Sequence, residues 1–172
     1  MNLLIVVDMQ NDFISGALGT EEAKAIVANV KSRIESFSGE VIFTRDTHGE
    51  DYLLTREGKK LPVSHCIKGT WGWEICDELL PLAQGKKIFD KPTFGSTELA
   101  HYVSSIYNKV EGAKITLLGL CTDICVISNA MLLKAALPEA DIAVDRACCA
   151  GVTPQSHANA LEAMKMCQIE VI

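Results

Sequence analysis

Short apolar runs alternate with longer amphipathic stretches along this chain, and each run ends on polar residues. Leu3-Leu4-Ile5-Val6-Val7 stops at Asp8, and Val41-Ile42-Phe43-Thr44 leads into Arg45-Asp46-Thr47-His48. Lys87-Ile88-Phe89 gives way to Asp90-Lys91, and Ile115-Thr116-Leu117-Leu118-Gly119-Leu120 to Cys121-Thr122-Asp123-Ile124-Cys125. Apolar runs this short, separated by helix-length segments, read as strands of a parallel sheet buried on both faces.

The predicted strands cover residues 2–7, 41–44, 87–90, 114–120, 141–144 and 169–172. After the first, a loop through Gly16 and Gly19 leads to a helix starting near Thr20. Glu21 and Glu22 lie in its first turn, where carboxylates suit the helix dipole. Ala23, Ile26, Val27, Val30, Ile34 and Phe37 recur at helical spacing, and Gly39 ends the helix. Residues 45–72 lack clear periodicity, and so long a loop in a compact domain is functional or carries minor structure. A short helix is predicted over 74–80, stopped by Pro81. Another over 96–108 packs Leu99, Ala100, Val103, Ile106 and Tyr107. A third, over 123–137, has Val126, Ile127, Ala130, Met131 and Leu133 on or near its buried face. Thr153-Pro154 opens the last helix with a cap residue followed by proline in the first helical position. The pattern predicts one domain over 1–172, a three-layer α/β/α fold around a six-stranded, mainly parallel sheet with right-handed crossovers.

Composition narrows the partners. The 172 residues are 48% hydrophobic and 22% charged, with a formal net charge of −6. Such a chain buries ~70% of the surface it exposes when unfolded. Its acidity argues against a nucleic-acid or anionic-membrane partner. The first apolar run is too short for a signal-peptide core or membrane span, so a cytoplasmic location is expected. The seven cysteines include no C-x-x-C pair, and their odd number argues against a disulfide framework. Most read as small buried hydrophobes.

In an open α/β sheet, ligands bind beyond the carboxyl ends of the strands. Cys125 is the leading candidate nucleophile. It follows a strand, in the first turn of a predicted helix with Thr122 as N-cap, where backbone N–H groups favour a thiolate and offer an oxyanion site. A buried structural cysteine is the competing reading, and Cys121, at the strand end, is the rival nucleophile. Asp8 at a buried strand end is a candidate general base, its carboxyl pKa raised by burial; an Asp that caps a loop is the alternative. Lys91, beyond strand three, would hold the anion. Asp46-x-His48 puts two metal-capable side chains on one side of an extended segment, with His65 seventeen residues on. Two His and a carboxylate with open positions suit catalytic zinc or non-haem iron. His101 and His157 read as surface residues on helices.

With these residues in place, the chain resembles the isochorismatase-like cysteine hydrolases, and within them the nicotinamidase/pyrazinamidase branch. The resemblance runs through Val6-Val7-Asp8-Met9-Gln10-Asn11-Asp12-Phe13, Thr44-Arg45-Asp46-Thr47-His48 and His65-Cys66-Ile67-Lys68-Gly69-Thr70. It continues through Lys91 with Phe94 and through Gly119-Leu120-Cys121-Thr122-Asp123-Ile124-Cys125-Val126. It implies a Rossmann-like fold and a catalytic triad of Asp8, Lys91 and Cys125. It implies one divalent metal on Asp46, His48 and His65, zinc first and iron or manganese as alternatives, with Glu57 a possible further ligand. It also implies a cis peptide between Leu120 and Cys121, which makes the Cys121 and Cys125 N–H groups the oxyanion hole, and a homo-oligomer acting on a small-molecule amide.

Two segments depart from that pattern. Leu61-Pro62-Val63-Ser64-His65 lacks the aromatic residue that often stacks on a pyridine ring, and Trp71-Gly72-Trp73-Glu74 is bulkier than usual. Phe13 and Trp71 are the expected substrate contacts, Trp73 being the other tryptophan that could serve as a wall. The expected activity is metal-dependent amide hydrolysis through a thioester, nicotinamide to nicotinate and ammonia. The alternatives are another amide or ureido hydrolase on this scaffold, or a non-catalytic metal-binding protein.

Overall fold

A computed structural model describes residues 2–107 and 113–172. Its six strands are β1 (Leu3–Val7), β2 (Glu40–Asp46), β3 (Lys87–Lys91), β4 (Lys114–Leu120), β5 (Asp141–Ala150) and β6 (Glu170–Val171). They form one sheet in the order β3-β2-β1-β4-β5-β6, and every pairing is parallel. The expected "mainly parallel" sheet is therefore wholly parallel. All five residues of β1 are buried, as the uninterrupted apolar run predicts for a central strand covered on both faces.

The helices are α1 (Asn11–Ile14), α2 (Glu21–Glu35), α3 (Arg56–Lys60), α4 (Leu80–Ala83), α5 (Thr97–Tyr107), α6 (Ile127–Ala136) and α7 (Pro154–Met166). α2 begins as the sequence predicts: Thr20 Oγ1 accepts from the Ala23 N–H at 3.0 Å, and Ala23, Ile26, Val27, Val30 and Ile34 are its buried face. α2 packs on β4 and β5, while α5 packs on α6 and α6 on α7. At the start of α7, Thr153 and Ser156 cap each other reciprocally, with Pro154 in the first turn. No helix among the described residues is long and apolar enough to cross a membrane.

Several boundaries differ from the sequence reading. The helix expected over 74–80 is absent; α4 starts at Leu80, with Pro81 opening it, because proline lacks only an N–H that the first turn leaves unbonded anyway. α1 falls in what reads as loop. The aperiodic stretch 45–72 holds α3 and two 3-10 turns, Tyr52–Leu54 and Trp71–Trp73, the second running one residue past it. The helix expected from residue 123 opens as a π-helical turn, Thr122–Val126, before α6. β5 extends to Ala150, past the predicted 144, with a register shift opposite Leu117 and Gly119 of β4. Of the helix expected over 96–108, residue 108 lies outside the described residues.

Candidate active site

Because the sheet is parallel, the carboxyl ends of β1 to β4 deliver Asp8, Asp46, Lys91 and the Cys121–Cys125 turn to one edge. Strand register places Asp46 directly beside Lys91. Lys91 is fully buried, and its ammonium makes four contacts. Nζ lies 2.6 Å from Asp8 Oδ2, 3.3 Å from Asp46 Oδ1 and 3.3 Å from Cys125 Sγ, and it donates to the Thr93 carbonyl at 3.1 Å. Burial works against the charge on Lys91, but Asp8, Cys125 and Asp46 around it hold its pKa above the ordinary lysine value.

Asp8 follows the last β1 residue with positive φ (48°), which turns its carboxylate into the site. Oδ1 accepts from the Thr44 hydroxyl at 2.6 Å, while Oδ2 faces Lys91 and accepts no well-aligned hydrogen bond. Burial raises its pKa, with Asp46 adding to the shift and Lys91 opposing it. Asp46 goes the other way: despite burial, hydrogen bonds from His48 and His65 and the charge of Lys91 hold it far below the carboxylate range.

Cys125 is buried in the π-helical turn. Its helix-start position predicts a depressed thiol pKa, but in the fold burial and the neighbouring Asp8 push it well above the ordinary value against the pull of Lys91. Cys121, part-exposed at the mouth of the turn, is likewise pushed up to about 12, by burial first and then Asp123. Cys121 rather than Thr122 is the N-cap residue. The Thr122 hydroxyl sits 2.8 Å from Nδ1 of His157, which is therefore half-buried against the turn and not a surface residue. The Leu120–Cys121 peptide is cis, as the resemblance implies. Gly119 just before it has φ +117°, and a side chain there would drive into the Val7 carbonyl oxygen of β1.

Beside this group lies a second. One ligating atom from each of Asp46, His48, Glu57 and His65 falls within 4.8 Å of the others, close enough to hold a metal ion. His48 Nε2 is 3.0 Å from Asp46 Oδ2; His65 Nε2 is 3.6 Å from the same oxygen, and Glu57 Oε1 lies 3.7 Å from His48 and 4.0 Å from His65. His65 Nδ1 bonds the Val63 carbonyl at 2.8 Å, so its Nε2 is the nitrogen turned to the cluster. The donor set, two imidazoles and two carboxylates converging on one point, fits a divalent cation. α3 delivers Glu57 out of the aperiodic stretch, where sequence gave it no support.

Phe13, Leu18, Asp46, Glu57, Leu61, His65, Phe94, Cys121, Ile124, Cys125 and Val152 line a mostly apolar cavity of about 250 Å³. It joins the cysteine turn to the cluster. Phe13 is in place, its ring 5.6 Å from that of His65. Trp71 is not. Its side chain is 57% exposed and lines a separate depression with Asn11, Ser15 and Asp77. Gln10 explains this: its amide donates to the carbonyls of Asp46 and Trp73 at 2.8 Å each and accepts from the Asp46 N–H at 2.7 Å, pinning the tryptophan turn below the cavity. Trp73 faces away too, stacked 3.6 Å from the Arg45 guanidinium carbon. Leu61, Phe94, Ile124 and Val152 are the walls instead. The missing aromatic near residue 63 has no direct replacement; Tyr52 is buried behind the imidazoles, 4.6 Å from the His48 ring.

Sequence reasoning also missed Asn129, one turn beyond Cys125 on the buried face of α6. Its amide donates to the Cys125 carbonyl at 2.8 Å and the Phe94 carbonyl at 3.2 Å, and its oxygen accepts from the Ser96 N–H at 2.9 Å. The only signal was its spacing of four from the cysteine. Asn129→Ala leaves three backbone groups without their partner and is expected to cost about 2–4 kcal/mol in denaturant unfolding. A loss below about 1 kcal/mol would mean that those bonds are replaced without cost.

The fold and the clustered edge define an isochorismatase-type α/β hydrolase scaffold, and the chain belongs to that family: the isochorismatase domain pattern matches residues 2–172. Among individual proteins, the chain is similar to the nicotinamidase of Saccharomyces cerevisiae, 25% identical over 174 aligned positions covering 76% of this chain and 80% of that protein. The crystal structure of the pyrazinamidase of Pyrococcus horikoshii in complex with zinc superposes with a TM-score of 0.82 at 28% identity, covering 99% of this chain and 98% of that one. N-carbamoylsarcosine amidase from Thermoplasma acidophilum superposes with a TM-score of 0.78 at 26% identity, covering 99% of this chain and 95% of that one.

Proposed function

We propose that this protein is a metal-dependent cysteine amidohydrolase of the nicotinamidase type, acting on a small-molecule amide. One observation carries the reading: Cys125 and three members of the four-donor cluster, Asp46, Glu57 and His65, open onto the same small cavity. A ring nitrogen and a carboxamide carbon of one substrate can be held there together, which an aliphatic amide cannot exploit.

In this reading Asp8 Oδ2, paired with the Lys91 ammonium at 2.6 Å, takes the proton from the Cys125 thiol as Sγ attacks the carboxamide carbon. The carbonyl oxygen becomes an oxyanion, held by the Cys121 and Cys125 N–H groups. Asp8 returns the proton to the nitrogen, the C–N bond breaks, and ammonia leaves a thioester on Cys125. Water, giving its proton to Asp8, attacks that thioester, and the thiol departs with the proton as the carboxylic acid is released. Lys91 keeps its charge throughout and steadies the anion as it moves between Asp8 and Sγ. Asp46, His48, His65 and Glu57 would hold the cation, zinc by the donor set, which supplies a Lewis-acid anchor for the ring nitrogen. The reading keeps the expectations drawn from length and composition, one cytoplasmic domain with no nucleic-acid or membrane partner, and the homo-oligomer that the resemblance implies.

The test is ammonia release from nicotinamide, benzamide and an aliphatic ureido acid, side by side. Nicotinamide is expected to exceed benzamide by 100-fold or more in kcat/KM (about 3 kcal/mol of anchoring), because only it has the ring nitrogen. His48→Ala and chelation should each lower metal content by elemental analysis and raise KM for nicotinamide. Equal rates on nicotinamide and benzamide would reject the anchored pose. Preference for the ureido acid would favour the second reading, a carbamoyl-amide hydrolase, which the likeness to N-carbamoylsarcosine amidase and the absence of an aromatic wall near Leu61 keep in view.

A further inference from the structure

A second, open groove of about 680 Å³ adjoins the catalytic cavity; it is lined by Arg56, Glu57, Lys59, Lys60, Thr93 and neighbours, and Glu57, Leu61, Phe94 and Ile124 border both spaces. The floor is apolar: Leu61 and Phe94 are 38% and 42% exposed. The rim is cationic. Three of the chain's 16 basic residues fall within the five residues of α3, in a protein of net charge −6.

Their placement is not explained by the helix itself. Lys59 and Lys60 complement the carboxyl end of α3, but Arg56 sits in its first turn, where the dipole disfavours a cation. All three are exposed, and among the described residues none makes an ion pair or a side-chain hydrogen bond. The carboxylate of α3, Glu57, turns instead toward His48 and His65. A small neutral amide leaves this surface unused. An apolar cavity bordered by a groove that carries three uncompensated cations suits a longer, acidic molecule.

Resting on the amidohydrolase reading above, we infer that the preferred substrate carries, besides its carboxamide, an anionic group on a short arm lying in this groove against Arg56, Lys59 and Lys60. Carboxylate and phosphate share the chemistry the rim recognises. Arg56 can grip either bidentately, and the lysines act as point charges.

The experiment compares nicotinamides bearing an arm at ring position 4 or 5: carboxymethoxy and phosphonomethoxy arms against the neutral 2-hydroxyethoxy arm. In the wild-type protein at low ionic strength, at least one anionic compound is expected to exceed its neutral partner by about tenfold in kcat/KM, and the two acids reveal which anion fits better. That ratio should fall toward one in high salt and in Arg56→Gln/Lys59→Gln/Lys60→Gln, and invert in Lys59→Glu/Lys60→Glu. These substitutions are on the exposed surface, and the neutral compound measured in each variant corrects for any general loss. Anionic and neutral compounds turning over alike at both positions, or a ratio unmoved by the rim variants, would overturn the inference. Slow turnover of plain nicotinamide with a rim-dependent preference for the acids would uphold it and discard nicotinamide as the substrate. No ammonia from any compound would remove the amidohydrolase reading and this inference together.

Discussion

Replacing Cys125 with alanine is expected to reduce amide hydrolysis by at least about 10⁴-fold while leaving the protein folded. The Cys125 sulfur lines the cavity and lies 3.3 Å from the Lys91 ammonium, and water held there would have no covalent route to the acyl group. The structural cost is small. Cys125 is 4% exposed, and the exchange removes one sulfur atom from a wall that already borders open space, so unfolding should shift by only about 1 kcal/mol. Cys121→Ala is the contrast. Its proposed part belongs to its backbone N–H, which survives the substitution, so activity should stay within about tenfold of wild type. Ammonia release measures both, and mass spectrometry after a rapid acid quench should find an acyl adduct on wild type and none on Cys125→Ala. If Cys121→Ala were the inactive variant and Cys125→Ala retained turnover, the two assignments would have to be exchanged.

The residues on the sheet edge were readable from sequence because their signal is strand period and strand end. A five-residue run buried on both faces leaves little choice about where Asp8 falls, and a parallel sheet leaves little choice about which strand ends meet. Lys91 was weaker locally, and its value came from topology alone. What could not be read was held by contacts distant in the chain. The 45–72 stretch has no period because its parts are short and pinned from elsewhere: the Cys66 N–H donates to Asp12 at 2.7 Å, and the Tyr52 hydroxyl donates to the Leu61 carbonyl at 3.0 Å. Glu57 reaches the cluster only through that arrangement. Trp71 shows the same limit in reverse. Two residues on, the Trp73 carbonyl is tied to Gln10, and any side chain at Gly72 would meet the Asp12 carboxylate, so the turn lies where neither tryptophan can line the cavity. At the Cys125 thiol two effects oppose each other: helix-start N–H groups favour a thiolate, whereas burial beside the Asp8 carboxylate pushes the thiol pKa up, and burial is invisible in sequence.

The largest effect on stability is expected at Lys91. Its ammonium is the one cation among three acidic groups, Asp8, Asp46 and Cys125, and both carboxylates are buried. Lys91→Met keeps the length and bulk of the side chain but leaves Asp8 without its cation and Asp46 with only His48 and His65 beside it. Breaking a buried ion pair from one side costs about 3–5 kcal/mol, more than the pair itself contributes, because the remaining charge stays desolvated. The loss should be read by denaturant unfolding at neutral pH in chelator-treated protein, where no bound cation shares the charge of Asp46. Removing the orphaned charge should recover part of the loss: Asp8→Asn/Lys91→Met is expected to be more stable than Lys91→Met by at least about 1 kcal/mol, although it lacks one more ionic group. Neither variant should hydrolyse amides at a measurable rate, so this restoration of stability without activity separates the structural part of Lys91 from its chemical one. If the double variant proved less stable than the single, the Asp8 charge would have a second source of compensation, and Lys91 would not be the centre on which this edge of the sheet is balanced.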